Sequence, residues 1–165
     1  MPQVTDKKSK TPEQALSRLM TLCSRGEKSS GDALRLMRGW GIEPAERAKI
    51  LKTLLDQRFI DDARYASAFV CEKTRLSGWG AYKMRAALAA KGIDRTVIDA
   101  ALGQIDPVAA GQRLERYLRS KLARLTGTPY EVRGKLLRYG ASLGYDYDAV
   151  STQVDKLLKD EFIFS

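Results

Sequence analysis

Gly78-Trp79-Gly80-Ala81-Tyr82-Lys83-Met84-Arg85, continued by Ala86-Ala87-Leu88-Ala89-Ala90-Lys91-Gly92-Ile93, carries the pattern from which the architecture follows. Met84 and Leu88 stand at i and i+4, which puts both on one apolar face of a helix running from Gly80 to Lys91. Gly92 supplies the residue that can turn left-handed at its end. Gly41 and Gly144 close helices in the same way, 51 residues before and 52 residues after Gly92. The residues eight places before these glycines are Ala33, Met84 and Leu136, and those just after them are Ile42, Ile93 and Tyr145. A period of this length predicts tandem repeats, each too small to bury a core alone. The expected fold is therefore all-α, an elongated tandem array of three three-helix repeats with about nine helices. The repeats are expected at 11–60, 61–105 and 106–165, after a flexible N-terminal tail over 1–10.

The remaining helix punctuation fits this frame. Thr11-Pro12-Glu13-Gln14 and Thr128-Pro129-Tyr130-Glu131 are capping boxes with proline in the first turn. Leu16, Leu19, Met20 and Cys23 share a face before Gly26, and a second helix is expected from Asp32 to Trp40. Pro44 opens a third, with a core face predicted at Ala48, Leu51, Leu54 and Leu55. Asp61 is expected to cap a fourth helix bearing Tyr65, Ala66, Phe69 and Val70, and Asp94 a short one with Val97, Ile98, Ala101 and Leu102. Asp106-Pro107 opens a long helix to Leu125, and Asp146 or Asp148 caps the last, which carries Val150, Val154, Leu157 and Leu158. No sustained alternation of apolar and polar residues marks a strand.

Composition removes several chemistries. The 165 residues hold 29 Lys and Arg, 20 Asp and Glu and no histidine, so the net charge of +9 is independent of imidazole. A Ser-His-Asp triad, a Cys-His dyad or a His-ligated zinc cannot be built from this chain alone. Cys23 and Cys71 are too few for a thiolate metal site and are read as small core hydrophobes in a reducing compartment. No apolar run approaches the ~20 residues of a membrane span, and no signal-peptide core follows the basic N-terminus. A cytoplasmic protein with no membrane contact, no cofactor and an anionic partner is expected.

Phe59-Ile60-Asp61-Asp62-Ala63-Arg64-Tyr65-Ala66 reads as a hydrophobic staple before a helix cap, with Asp62 favoured by the helix dipole. Two adjacent carboxylates are formally a metal pair too, but no third ligand is evident. Together with the Trp79 to Ile93 stretch, this string resembles the RecX family, regulatory proteins that bind the RecA recombinase. The motif positions are Phe59, Ile60, Asp61, Asp62, Trp79, Gly80, Gly92 and Gly144. Arg138-Tyr139-Gly140-Ala141-Ser142-Leu143-Gly144-Tyr145 is similar to the family's third repeat, with two departures. Gly140 replaces a core leucine, which is expected to weaken its helix by roughly 1 kcal/mol relative to alanine. Leu143 replaces an arginine and so removes a cation.

The resemblance implies a non-enzymatic regulator. It would be a monomer that binds the RecA–DNA filament, together with single- or double-stranded DNA directly or through the filament. It would modulate, mainly inhibit, ATPase and strand exchange in DNA repair, recombination and the SOS response. The alternative is a free-standing, sequence-nonspecific helical DNA-binding protein. Candidate contact residues in the middle of the chain are Arg64, Lys83, Arg85 and Lys91; reversing Lys83, Arg85 and Lys91 to Glu should weaken filament binding and leave melting nearly unchanged. Further candidates come from residues 112–138, with 8 basic side chains against 2 acidic: Arg113, Arg116, Arg119, Arg124, Arg133, Lys135 and Arg138. Leu114, Leu118, Leu122 and Leu125 form the opposing apolar stripe. A basic face of this kind is either a solvated helix side or a phosphate contact. Trp79 likewise either packs back onto its own repeat or stacks on a base or in a partner's pocket.

Overall fold

The structure, a computed structural model, describes residues 9–164, with side chains to residue 161. Most of the expected N-terminal tail lies outside the described residues. Lys10, at its end, donates its amide to the Trp40 carbonyl and sets its ammonium 5.1 Å from the Trp40 ring centroid. Among the described residues there are nine α-helices, one π-helical turn and no strand. The helices are α1 (Pro12–Arg25), α2 (Ser30–Gly39), α3 (Pro44–Asp56), α4 (Asp62–Glu72), α5 (Ala81–Ala90), α6 (Arg95–Leu102), α7 (Pro107–Leu122), α8 (Pro129–Ser142) and α9 (Tyr147–Phe164). The π turn, Lys73–Ser77, follows α4 directly.

Two compact units emerge. Of the described residues, one unit holds those up to Ser67 together with Leu88–Ile98, and the other holds Ala68–Ala87 and those from Asp99 onward. In the first, α3 packs on α1 and α2 around Ala15, Leu19, Ala33, Met37, Ile50, Leu54 and Ile60. In the second, α7, α8 and α9 each pack on the other two, around Leu114, Leu118, Val132, Leu136, Val150, Val154 and Leu157. The predicted apolar residues Ala66, Val70, Met84, Leu88, Ile98, Ala101 and Leu102 are all buried.

Helix ends follow the expected chemistry, with instructive differences. Both threonine capping boxes form, and Gly41, Gly92 and Gly144 adopt φ of 74°, 75° and 93°, the left-handed region open to glycine. A third box, Ser29 with Asp32, starts α2 at Ser30, two residues before the expected Asp32. Asp146 takes the cap position of α9, its carbonyl accepting the Val150 amide at 2.9 Å. The predicted face of α3 is corrected: Ile50 and Leu54, one turn apart, are buried, whereas Ala48 is exposed and Leu55 is 41% exposed. At 100° per residue Ala48 and Leu55 lie on the far side of that pair, and α3 is apolar enough on both sides to mislead a wheel. Cys71 is corrected too; it is exposed on α4, and Cys23 is only half-buried.

Gly140 has a structural explanation that its helix propensity hides. It is buried in α8 where Val150 of α9 presses in, and a β-carbon there would lie 2.5 Å from Val150 Cγ1. The missing side chain lets two helices approach closely. We expect Gly140→Ala to destabilise the protein by about 1–2 kcal/mol, because overpacking outweighs the gain in propensity. Pairing it with Val150→Ala should cost less than the two single losses combined. Gly134, in the same helix, would place its β-carbon no closer than 3.6 Å to the flexible Arg138 head. Gly134→Ala should therefore stabilise by about 0.5–1 kcal/mol. Urea unfolding of the four variants checks the opposite signs.

Candidate functional site

The first four amides of a helix and its last four carbonyls lack intrahelical partners. At the start of α5 the Gly80 amide donates to the Leu143 carbonyl at 2.7 Å, and the Tyr82 amide to the Gly144 carbonyl at 3.0 Å. The turn after α8 thus satisfies the start of α5. A β-carbon on Gly80 would run into the Gly144 carbonyl, and one on Gly144 would strike Lys83. The motif glycines are therefore close-approach residues. Gly92 has the equivalent part against Gly31, where Ser29 Oγ donates to the Lys91 carbonyl at 2.8 Å.

Around Ser29 lies a small buried polar network that is not among the sites expected from the sequence. Ser29 is fully buried and Asp32 only 5% exposed. The Asp32 carboxylate accepts the Ser29 amide at 3.2 Å and pairs with Arg35 at 2.6 Å and Lys91 at 3.4 Å. Burial opposes its charge, but the Ser29 hydrogen bonds, Arg35 and Lys91 outweigh that penalty and lower its pKa. The Ser29-x-x-Asp32 spacing was the available signal.

Several candidate contact residues already have partners. Arg64 pairs with Glu27 at 2.7 Å and donates to the Arg58 and Phe59 carbonyls, bracing the start of α4. Asp61 accepts the Arg64 amide and acts as the cap, while Asp62 accepts the Ser30 amide at 2.8 Å. Phe59 and Ile60 pack into the first unit's core. Arg85 pairs with Asp99, Arg119 with Glu115 and Arg133 with Asp155. Lys135 donates to the Thr126 carbonyl. Lys83, Arg113, Arg116, Arg124 and Arg138 make no ion pair among the described residues.

One of these cations, Lys83, joins Lys73 at Trp79. The half-buried indole meets Phe69 at 69° between rings, with centroids 6.1 Å apart. Lys83 Nζ lies 4.5 Å and Lys73 Nζ 4.9 Å from the Trp79 centroid. The π turn makes this possible: the Trp79 amide bonds back to the Lys73 carbonyl at 3.2 Å, and Gly78 closes the turn at φ 64°. Tyr145 donates its hydroxyl to the Gly78 carbonyl at 3.1 Å. Burial pushes the Tyr145 phenol up, against the opposing influence of Arg113 and Arg116 beside it. Lys73 was missed because nothing in its spacing announces a π turn. Among the described residues no group of three or more Cys, Asp or Glu could hold a metal ion. No described helix is long and apolar enough to cross a membrane.

Fold and site together define a helical-repeat protein with a cationic, aromatic surface group. Comparison with known proteins then identifies it more narrowly. Residues 61–102 match the family description "RecX, second three-helix domain". The chain is 30% identical over 132 residues to the regulatory protein RecX of Pseudomonas fluorescens, covering 80% of this chain and 84% of that relative. It is 34% identical over 116 residues to that of Mycolicibacterium smegmatis, covering 65% and 62%. Against that of Clostridium botulinum strain Alaska E43 it is 31% identical over 139 residues, covering 82% and 63%. The chain thus spans less than two thirds of the length of these last two relatives. The crystal structure of RecX from Lactobacillus salivarius shares the fold, with a TM-score of 0.80 at 18% identity over 88% of this chain and 96% of that one. This chain belongs to the RecX family.

The Asp32 network revises one expectation: charge reversal at Lys91 should not be structurally silent, since it would set a second carboxylate against Asp32. We expect Lys91→Glu and Asp32→Ala each to lower stability, the latter by about 2 kcal/mol. Because the folded-state pKa of Asp32 lies below its unfolded value, its contribution is present above about pH 4 and is lost as pH falls through the folded value. Asp32→Ala should therefore cost less at pH 3 than at pH 7, as measured by urea unfolding at both.

Proposed function

We propose that this chain binds the RecA–DNA filament as a non-catalytic regulator and mainly inhibits the recombinase's ATPase and strand exchange. The observation that carries this reading is the match to RecX regulators over four fifths of the chain. On this reading the protein acts in the cytoplasm as a monomer without cofactor, and the repeats are the three segments 11–60, 61–105 and 106–165.

The pattern of ion pairing supports a division of labour among the cations. Arg64, Arg85, Lys91, Arg119 and Arg133 are engaged by carboxylates of the chain itself. Their charge serves the fold first. Arg116, Arg124 and Arg138 are exposed and carry no ion pair among the described residues. These are the side chains free to exchange counterions for the phosphates of a filament. The same set favours a second reading, direct and salt-sensitive DNA binding without the recombinase.

Titrating the protein into RecA filaments on single-stranded DNA tests the first reading. ATP hydrolysis should fall at well under one protein per DNA site, and absence of any effect with filaments present would overturn the proposal. Reversing Arg116, Arg124 and Arg138 to Glu should raise the concentration needed by about tenfold or more, since each lost phosphate contact flattens the salt dependence by close to one counterion. Equal affinity for DNA with and without RecA would instead support the second reading.

A further inference from the structure

We propose that Trp79 is a base-stacking platform for single-stranded nucleic acid, covered in the free protein by Lys73 and Lys83, whose ammonium groups transfer to phosphate when the strand binds. The inference rests on the filament reading only in taking nucleic acid as a ligand.

Three observations in the second unit support it. First, Lys73 and Lys83 both approach the Trp79 ring, at 4.9 and 4.5 Å from its centroid, and neither makes an ion pair among the described residues. Lys83 also donates to the Ser142 carbonyl at 3.3 Å, and phosphate is a stronger partner for an ammonium than a carbonyl and the face of a half-buried indole. Second, the ring has no face-to-face aromatic neighbour among the described residues; Phe69 meets it steeply, at 69°. A stacking base needs a π-face, and here it would take the place of the lysine tips. Third, further cations and an exposed aromatic belong to neighbouring parts of the same unit. Tyr82, three residues on, is 61% exposed, and Arg113 and Arg116 stand beside Tyr145, which is hydrogen-bonded to Gly78.

A ring beside two ammonium groups matches a strand that offers an unstacked base next to its phosphates. A duplex keeps its bases stacked and so offers no base face to the ring. The scaffold is rigid where it must be. The backbone on either side of Trp79 is fixed by the Gly80 amide on Leu143 and the Trp79 amide on Lys73, so the ring is presented in one place while the lysine tips can move.

The chain holds two tryptophans, so Trp40→Phe leaves Trp79 as the single fluorescent reporter. With an oligothymidylate of about 20 nucleotides, Trp79 emission should be quenched by more than half, saturating with the anisotropy of the labelled strand. Inorganic polyphosphate should displace the lysines without that quenching. Trp79→Leu should weaken binding of the oligonucleotide about tenfold, and Trp79→Phe less, since phenylalanine still offers a ring. Lys73→Gln with Lys83→Gln should reduce the salt slope by about 1.4. Saturation without a change in Trp79 emission overturns the inference and leaves the filament reading intact. Equal quenching by polyphosphate also overturns it, by reducing the site to an anion contact. Thermal melts by circular dichroism identify any variant that does not fold, and for the Trp79 position the phenylalanine variant then carries the comparison.

Discussion

Backbone groups left over at helix ends constrain much of this molecule. A chain of short helices has many such ends, and each buried one must find a donor or an acceptor. Where α1 and α8 begin near solvent, a threonine and a glutamine or glutamate supply the missing partners locally. Where α5 begins, no hydroxyl is available, and the partners are the carbonyls of Leu143 and Gly144 at the end of another helix. The opposed helix ends complement each other electrostatically, because the amide end is positive and the carbonyl end negative. Such contact requires backbones to approach without side chains between them, hence Gly80 and Gly144. Ser29 solves the same problem at α2 with one hydroxyl that accepts the Asp32 amide and donates to the Lys91 carbonyl.

This arrangement changes how the net charge of +9 is understood. A total, or a total per segment, counts every cation alike. The ion pairs separate them: Arg64, Arg85 and Lys91 face carboxylates of the chain itself, while Lys73, Lys83, Arg113 and Arg116 face no carboxylate within ion-pair distance among the described residues. Residues 56–106 carry 8 basic and 7 acidic side chains and look nearly neutral, yet they contribute both lysines of the Trp79 group. Local field follows from which charges are compensated, and a sum over sequence does not contain that information.

The fold was readable because its signals are local. Capping boxes, glycine stops and i, i+4 apolar pairs act within one or two turns, so Thr11, Gly92, Met84 and Leu88 announce themselves. The site was less readable because it depends on what lies across the chain. Lys73 reaches Trp79 through a π turn, whose extra backbone residue has no composition of its own. Lys91 appeared as a free flank of α5 because its partner, Asp32, lies 59 residues away. Gly140 looked like a defect in a helix because the helix alone was considered; the reason for it stands on α9, at Val150.

Lys83 is the residue at which fold and site meet. Its backbone and β-carbon lie against Gly144, closely enough to exclude any side chain there. Its ammonium donates to the Ser142 carbonyl at 3.3 Å and lies over Trp79. The stem is therefore fixed by the same junction that satisfies the start of α5, whereas the tip holds only a carbonyl and a π-face, both of which water or phosphate can replace. A change at Gly144 would move the stem, the junction and the site together. A change confined to the lysine head group leaves the junction in place and alters only what the tip can bind. The two kinds of substitution separate the stability of this fold from its capacity for anions, a distinction that Lys91, with its ammonium committed to buried Asp32, does not permit.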